Sequence, residues 1–269
     1  MGKAPSFSPL DLKEITLCVY TALPNMKVIV IIPAAGLGTR MSAASAGLKS
    51  KQFYELQGTP ILFLTLRKFA HCSAVDEIVV ALRKNETAGF LKQAEQEAFK
   101  KPIRVVEGGE HRQDSVANAL AALDAAPDDI VLVHDAVRPF VDDETISGVI
   151  EAVKKYGAAI AGIPAVDTVK QVDRTADGAV VLATVPRERM VMAQTPQGFR
   201  YGVLKKAFDD AGADGFLGTD EASLIERAGG TVHVVMGSPR NLKITTPGDL
   251  ELAEYFLSQE GRGKTGIAR

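Results

Sequence analysis

Residues 28–41 read VIVIIPAAGLGTRM, an apolar run that is followed by two glycines and an arginine. The run from Val28 to Ile32 is typical of a strand that is buried on both faces of a sheet. Gly36 and Gly38 would let the backbone come close to a ligand, and Arg40 adds positive charge directly after them. We therefore predict that this loop binds a polyphosphate.

Two common glycine motifs do not fit this loop. A dinucleotide-binding fingerprint needs a small residue three positions after Gly38, where the chain has Met41. A P-loop needs Gly-Lys-Ser or Gly-Lys-Thr in the place where the chain reads Met41-Ser42-Ala43. We interpret the loop as a triphosphate site in which backbone amides, Arg40 and Lys51 hold phosphate oxygens. A plain turn from strand to helix is the alternative that the loop alone leaves open.

The composition favours a single α/β domain. The chain has 269 residues, of which 46% are hydrophobic, and a formal net charge of -2. This balance gives no basic patch for nucleic acid, and no stretch of about eighteen apolar residues is available to span a membrane. Cys18 and Cys72 are the only cysteines, which is typical of a reducing, cytoplasmic compartment.

The two ends of the chain differ in character from its middle. We expect residues 1–25 to form a mobile or loosely docked extension and residues 26–258 to form one domain. Residues 259–269 are rich in glycine and charge, so they are expected to be a disordered tail.

Strand and helix patterns alternate along most of the chain, which predicts a mostly parallel, doubly wound sheet with helices on both faces. The predicted strands are 28–32, 77–82, 103–106, 130–134, 158–163 and 231–236. The predicted helices are 61–70, 87–99, 115–123, 143–156, 201–211, 221–228 and 247–257.

Residues 165–190 break this alternation. Two short runs, Val169–Val172 and Val180–Val185, flank Asp177-Gly178, and Asp-Gly between such runs is a strong signal for a β-hairpin. A two-stranded ribbon is marginally stable by itself. The hairpin therefore either packs against its own domain or projects as an arm that pairs with a second subunit.

A second glycine motif follows the third predicted strand. Residues 107–115 read EGGEHRQDS, in which Gly109 allows close approach and Ser115 can both donate and accept hydrogen bonds. Ligands of an open parallel sheet bind in the crevice at the carboxyl ends of its strands. We therefore expect this motif to line the same site as the opening loop.

A carboxylate and a cation follow the fourth predicted strand, where residues 134–139 read HDAVRP. A carboxylate that faced a triphosphate would be repelled unless a divalent ion lay between them, so Asp135 is a candidate magnesium ligand. A surface ion pair between Asp135 and Arg138 is the alternative. Arg187 and Lys243 are two further candidate cations, although each by itself is more commonly solvated than functional.

The histidines do not indicate a metal site. His71, His111, His134 and His233 show no metal-ligand spacing among them. No Ser/His/Asp pattern is compelling either. We interpret His134 as a residue that packs at the end of a strand rather than as a base.

These motifs, in this order, resemble the 2-C-methyl-D-erythritol 4-phosphate cytidylyltransferase family of the non-mevalonate isoprenoid pathway. The resemblance covers about residues 27–257. The matching motifs are Ala-Ala-Gly-x-Gly-x-Arg-Met, Lys-Gln-Phe, Gly-Gly-x-x-Arg-x-x-Ser, His-Asp-Ala-x-Arg-Pro, Asp167-Thr168-Val169-Lys170, Gln194-Thr195-Pro196-Gln197, Thr219-Asp220-Glu221-Ala222-Ser223 and Asn-x-Lys-Ile-Thr. The resemblance implies a Rossmann-like fold of the nucleotidyltransferase type.

The resemblance also implies a reaction, in which the CMP group of CTP passes to methylerythritol 4-phosphate, with release of pyrophosphate and with magnesium. By the motif match, Arg40 and Lys51 would stabilise the transition state, and Arg187 and Lys243 would position the acceptor phosphate. Asp135 would hold magnesium or contact the acceptor. The other implied residues are Arg138 and Thr168 on the acceptor side, and Ala34, Ala35, Gly36, Gly38, Gly109 and Ser115 on the CTP side.

In the family the hairpin arm crosses to the other subunit of a homodimer. Thr168 and Arg187 would then complete the partner's site. The resemblance thus favours the projecting arm over a hairpin that packs on its own domain.

The chain departs from the family pattern between Ser42 and Ser50. This segment is longer than usual, and Ser50 stands where the family commonly has a proline before the lysine. Lys49 therefore competes with Lys51 as the stabilising residue. We retain Lys51, because Gln52-Phe53 follows it directly.

Two other functions share parts of this pattern. Ribitol-5-phosphate cytidylyltransferase would use the same chemistry on another polyol phosphate, but Ala136 and the run Asp167-Thr168-Val169-Lys170 favour methylerythritol phosphate. A non-catalytic nucleotide sensor on the same fold would have little reason to keep Asp135 together with four cations.

Overall fold

The computed structural model describes residues 26–36 and 50–263, with side chains described up to Glu260. Several expectations concern residues outside these ranges, namely those for residues 1–25, Gly38, Arg40, Lys49 and residues 264–269. Within the described ranges, the chain forms a central sheet of seven strands and two separate pairs of strands.

The elements alternate as the sequence predicts. The strands are β1 Val28–Pro33, β2 Glu55–Leu56, β3 Thr59–Pro60, β4 Glu77–Leu82, β5 Ile103–Glu107, β6 Ile130–Val133, β7 Ala158–Pro164, β8 Val169–Thr175, β9 Gly178–Val185, β10 Val191–Arg200 and β11 His233–Met236. The helices are α1 Ile61–His71, α2 Lys84–Glu97, α3 Arg112–Ala121, α4 Asp143–Tyr156, α5 Tyr201–Ala213, α6 Glu221–Arg227 and α7 Pro247–Gly263. Single 3-10 turns form at Lys51–Phe53 and Arg187–Arg189.

The central sheet has the strand order β11-β7-β10-β6-β1-β4-β5. β1 lies in the middle and pairs in parallel with β4 and β6. β5 and β11 also pair in parallel with their neighbours. The prediction of a mostly parallel α/β sheet is therefore confirmed.

β10 is antiparallel to both of its neighbours and was not predicted as a strand. Its middle reads Gln194-Thr195-Pro196-Gln197, and its pairing with β7 shifts register between Ala193 and Gln197. Polar residues, a proline and an irregularity together hide the alternation that marks a strand. The consequence for the site is that these polar side chains reach the carboxyl end of β6.

Helices cover both faces of the sheet, which explains the unbroken apolar run in β1. Val28, Val30 and Ile32 pack in a cluster that includes residues of α1 and α4. Ile29 and Ile31 pack in a second cluster, with residues of α3, α5 and α6. Because the side chains on both faces of β1 are buried, each adds roughly 1.5–3 kcal/mol of stabilisation. The doubly wound arrangement is thus the one that buries every residue of the run.

The hairpin formed by β8 and β9 is confirmed, with its turn at Asp177-Gly178. The two strands make a sheet of their own. Every residue from 170 to 184 is exposed, on both faces of the ribbon. The hairpin therefore projects from the domain instead of packing on it.

Three helix boundaries differ from the prediction by three residues or more. α2 begins at Lys84 rather than at Thr87. α3 begins at Arg112 rather than at Ser115, because the backbone N–H of His111 donates to the carboxylate of Asp114 (2.9 Å) and so fixes an earlier start. α7 continues to Gly263 instead of ending at Leu257. Part of the expected disordered tail, residues 259–263, is therefore helical. None of the described helices combines the length and the apolar character needed to cross a membrane.

Candidate active site

Two adjoining cavities lie at the carboxyl end of the parallel strands, where the sequence motifs were expected to meet. The first, which we call the loop cavity, measures about 190 Å³. The second, which we call the strand cavity, measures about 210 Å³. Arg112, Asp135 and Lys243 line both of them. These three side chains therefore mark the junction between the cavities.

The members of the two linings come from distant parts of the chain. The loop cavity is lined by Pro33, Ala34, Ala35, Gly36, Lys51, Gln52, Arg112, Ser115, Asp135, Ala136, Val137 and Lys243. The strand cavity is lined by Arg112, Asp135, Arg138, Ala193, Gln194, Thr195, Gln197, Thr219, Asp220 and Lys243.

Gln52 fixes the loop after β1. Its side-chain amide donates to the carbonyl oxygen of Ala34, and it is buried. Arg83 donates from Nε to the carbonyl oxygen of Ala35 (2.7 Å), which holds the next residue. Gln52 follows Lys51 directly, so the same hydrogen bond places Lys51 beside the loop. This contact supports the choice of Lys51; Lys49 and Arg40 lie outside the described residues.

Gly108 and Gly109 follow β5 and allow the loop between β5 and α3 to pack tightly. A Cβ atom on Gly108 would stand 2.3 Å from the Cβ of Ala35, and one on Gly109 would stand 2.2 Å from the Cβ of Asp114. The hydroxyl of Ser115 accepts from the backbone N–H of Gly109 (3.1 Å) and donates to the carbonyl oxygen of His111 (3.1 Å). Ser115 therefore stabilises the loop between β5 and α3 and also lines the loop cavity. The two glycines are needed for close packing as well as for the approach of a ligand.

Asp135 is buried and surrounded by three cations. Its Oδ2 lies 2.9 Å from Nζ of Lys243 and accepts from Nε of Arg138 at 3.1 Å. Its Oδ1 accepts from Nε of Arg112 at 3.3 Å. Burial by itself would raise the pKa of Asp135, but the charges of Arg112, Lys243 and Arg138 outweigh it and hold the pKa well below the usual range. Asp135 is thus an ionised carboxylate.

The alternative of a surface pair between Asp135 and Arg138 is wrong, because both side chains are buried. Arg138 also donates from Nη1 to the carbonyl oxygen of Asn241 (2.7 Å), which ties this pair to the segment that carries Lys243.

Asp135 does not fit the expected role of a magnesium ligand in this arrangement. Both of its oxygens already face cations, and a divalent ion placed there would be repelled by three positive charges. Among the residues that the structure describes, no group of three or more His, Cys, Asp or Glu side chains could hold a metal ion.

His134 packs at the strand end, as predicted, and is completely buried. Its ring nitrogens face two partners, with Nε2 3.1 Å from the carbonyl oxygen of Arg138 and Nδ1 3.0 Å from Oγ1 of Thr195. Since a carbonyl oxygen only accepts, we assign the proton to Nε2, and the hydroxyl of Thr195 donates to Nδ1. The backbone N–H of Asp135 donates to the same hydroxyl oxygen (3.1 Å). Burial lowers the pKa of His134 to about 4.

Thr168 and Arg187 are not brought to these cavities within one chain. Neither belongs to the lining of the loop cavity or the strand cavity. Arg187 donates from Nη1 to the carbonyl oxygen of Val166 (2.8 Å), at the base of the hairpin, and its side chain is exposed. The other predicted residues within the described ranges meet at or beside the two cavities.

Sequence reasoning assigned no role to Arg112 or Glu221. Arg112 lies in the second glycine motif, which was noted for its glycines and its serine. Glu221 is buried at the first position of α6, and its Oε1 accepts from Nη1 of Arg112 at 2.7 Å. The sequence contains no clear signal for Glu221, because a glutamate in the first turn of a helix is favourable whether or not it has a partner.

Comparison with known proteins gives one family for nearly the whole chain. The family model described as IspD, 2-C-methyl-D-erythritol 4-phosphate cytidylyltransferase, matches residues 28–259. A protein of that name from Acidobacterium capsulatum is 58% identical over 235 residues, which are 87% of this chain and 98% of the relative. Another from Solibacter usitatus is 52% identical over 244 residues, 89% of this chain and 99% of the relative. The crystal structure of the Francisella tularensis protein of that name is 40% identical, has a TM-score of 0.71, and covers 85% of this chain and 99% of that one.

Replacing His134 with Gln should flatten the pH dependence of stability. The folded protein keeps His134 neutral down to pH about 4, whereas the unfolded chain protonates it near pH 6.5. The stabilisation is therefore present above pH about 6.5 and is lost as the pH falls through about 4, an effect on the order of 3 kcal/mol. We expect the free energy of unfolding, measured by urea titration, to fall more steeply in the wild type than in His134→Gln over this range.

His71→Gln is the matched control, because His71 is exposed. It should keep the wild-type slope. Identical slopes for the wild type and His134→Gln would show that His134 is not buried in its neutral form.

Proposed function

The chain belongs to the 2-C-methyl-D-erythritol 4-phosphate cytidylyltransferase family, and from this premise we propose how its two cavities carry out the transfer. The enzyme transfers the CMP group of CTP to 2-C-methyl-D-erythritol 4-phosphate and releases pyrophosphate, a step of isoprenoid biosynthesis. The family match favours this acceptor over ribitol 5-phosphate, and it favours an enzyme over a nucleotide sensor.

The observation that carries the proposal is the shared junction of the two cavities. CTP would occupy the loop cavity, with its phosphates beside Gly36 and Lys51 and its cytosine near Ser115. The acceptor would occupy the strand cavity, with its phosphate beside Arg138 and Lys243. The two reacting groups would then meet between Arg112, Asp135 and Lys243, so that binding itself aligns them.

The chemistry needs positive charge more than it needs a base. A phosphate oxygen of the acceptor attacks the α-phosphorus of CTP, and the bond from that phosphorus to the pyrophosphate oxygen breaks. Negative charge grows on the α-phosphoryl oxygens and on the leaving pyrophosphate. Lys51 and Arg40 would stabilise this charge, while Lys243 would hold the attacking phosphate. Gly38, Gly109, Ala34 and Ala35 would complete the nucleotide side through their backbone.

Asp135 would contact a hydroxyl group of the acceptor, next to the cations that hold the acceptor's phosphate. A carboxylate offers about four acceptor positions, so Asp135 retains room for an acceptor hydroxyl beside its contacts with Arg138 and Lys243. Arg138 and Lys243 would bind the acceptor's phosphate, while Asp135 would accept a hydrogen bond from its hydroxyl group. The acceptor would thereby be oriented as well as bound.

We propose a homodimer in which the hairpin arm reaches the other subunit. Val172, Val180, Val181 and Leu182 are 39%, 57%, 55% and 55% exposed on the arm. Such an apolar ribbon is unfavourable in water without a partner surface. Thr168 and Arg187 lie on this arm, away from the cavities of their own chain, and would complete the acceptor site of the partner.

We also propose that magnesium reaches the site with the nucleotide. It would be held by phosphate oxygens and water, which suit this ion, and by no carboxylate of the Asp135 cluster. The ion neutralises phosphate charge when it is bound. A cytoplasmic location is proposed from the low cysteine content, with which the buried free thiol of Cys72 agrees.

Acceptor choice provides the direct test of the function. With CTP and magnesium, release of pyrophosphate should depend on methylerythritol 4-phosphate, because the strand cavity orients that alcohol. We expect kcat/KM to exceed that for ribitol 5-phosphate by about 10², in a coupled pyrophosphate assay. Equal or faster turnover with ribitol 5-phosphate would support the rival function instead.

Lys51→Ala should lower kcat on the order of 10² to 10³ fold, by analogy with removing one transition-state donor. Lys205→Ala, an exposed lysine on α5, is the control and should leave kcat unchanged. Steady-state kinetics at saturating CTP gives the comparison. A large loss in Lys49→Ala with none in Lys51→Ala would show that the stabilising lysine is Lys49.

Charging the arm should separate the subunits. We expect the double variant Val180→Glu/Leu182→Glu, or Val172→Glu/Val181→Glu at a cross-strand pair, to sediment as a monomer and to lose activity, because a charge buried in an apolar interface is costly. Gln171→Glu, at an already polar position of the same arm, is the control and should remain dimeric. A wild-type protein that sediments as a monomer at micromolar concentration would refute the shared site.

A further inference from the structure

Arg112 lies between the two cavities, and none of the roles proposed for the cations in the reaction belongs to it. It is the first residue of α3, and its side chain lines both the loop cavity and the strand cavity. Nε donates to Oδ1 of Asp135 (3.3 Å), and Nη1 donates to Oε1 of Glu221 (2.7 Å). The guanidinium is therefore clamped between two carboxylates, and its Nη2 donates to none of the described residues.

The carboxylate of Glu221 is itself fixed in place. It is 1% exposed, and its Oε2 has no hydrogen-bond partner among the described residues. Gln197 on β10 holds the start of α6, because its Oε1 accepts from the backbone N–H of Ala222 (3.1 Å) and its Nε2 donates to Asp220 (2.8 Å). A buried carboxylate with one partner depends on that partner. Glu221 thus restricts Arg112 to one orientation.

The charges at the junction do not cancel. Arg112, Arg138 and Lys243 supply three positive charges, while Asp135 and Glu221 supply two negative ones. One positive charge remains for a ligand. Burial by itself would lower the pKa of Arg112, but Glu221 and Asp135 raise it above its usual range, so the guanidinium stays charged. A cluster of ion pairs that served only the fold would carry no net charge and would not line a cavity. The cluster around Arg112 carries a net positive charge, and Arg112 lines both cavities.

We infer that Arg112 donates a hydrogen bond from Nη2 to the α-phosphate of the bound nucleotide, and that Glu221 is a positioning residue that aims it. The identity of the nucleotide rests on the proposed function. The α-phosphate is the group that moves from the nucleotide side to the acceptor side, and Arg112 stands where the two sides meet.

The test is the affinity of the full-length protein for CTP, CMP and cytidine, measured by titration calorimetry or by competition. Arg112→Lys keeps the charge but loses the planar fork, so it cannot reach Asp135, Glu221 and a phosphate together. We expect the Kd for CTP and for CMP to rise about tenfold to a hundredfold, the value of a charge-assisted hydrogen bond. The Kd for cytidine, which has no phosphate, should stay the same.

Glu221→Gln tests the positioning role, because the amide oxygen can still accept from Arg112 but carries no charge. We expect a smaller rise in the Kd for CTP and CMP, again with cytidine unchanged. In the double variant Arg112→Lys/Glu221→Gln the loss should equal that of Arg112→Lys alone, since Glu221 acts through Arg112.

The matched control is the ion pair of Arg67 and Glu97, in which Nη2 lies 2.7 Å from Oε1 at a site away from both cavities. Arg67→Lys and Glu97→Gln should leave all three affinities unchanged. An unchanged Kd for CTP in Arg112→Lys, or a loss for cytidine as large as that for CTP, would overturn the inference. A wild type that binds CTP but does not transfer CMP to methylerythritol 4-phosphate would overturn the proposed acceptor, and the Arg112 comparison would still decide this contact.

Discussion

The buried carboxylate of Asp135 is the group on which the arrangement of the site depends. Three cations lie within 3.3 Å of it, and they come from α3, from the segment after β6 and from the segment after β11. Without a carboxylate between them, these cations would repel one another in a poorly solvated cleft. Removing one partner of a fully buried ion pair costs about 3–5 kcal/mol, and the cost here is smaller because Arg112 and Lys243 are 31% and 35% exposed. Asp135 therefore allows three positive charges to lie close together at the junction of the two cavities.

The elements that could be predicted from the sequence are those whose signal is local. The apolar run of β1 predicts a central, doubly covered strand, and Asp177-Gly178 predicts the hairpin, because burial on both faces and a tight turn each impose a pattern on neighbouring residues. β10 was missed since its polar middle serves the site rather than the core. Arg112 and Glu221 were missed for a different reason, because their roles depend on a contact between residues 109 positions apart.

The position of Asp135 could be predicted, but its surroundings could not. Parallel strands place their carboxyl ends on one edge, so a carboxylate directly after β6 had to face the crevice. The alternatives were a magnesium ligand and a surface pair, and both treat Asp135 as having one partner. The structure adds two more, because Arg112 at the start of α3 and Lys243 after β11 both contact it. Arg112 lies 23 positions away in the sequence, so no local pattern reveals this contact.

The same charge arrangement bears on where a divalent ion can lie. A cation in the strand cavity would have to compete with Arg138 and Lys243 for Asp135, and their fixed positive charges oppose it. On the nucleotide side, a triphosphate brings several negative charges next to Lys51 and the glycine loop, which leaves room for an ion among its own oxygens. The acceptor phosphate would then be neutralised by side chains, and the proposed ion would share the charge of the leaving pyrophosphate with Lys51.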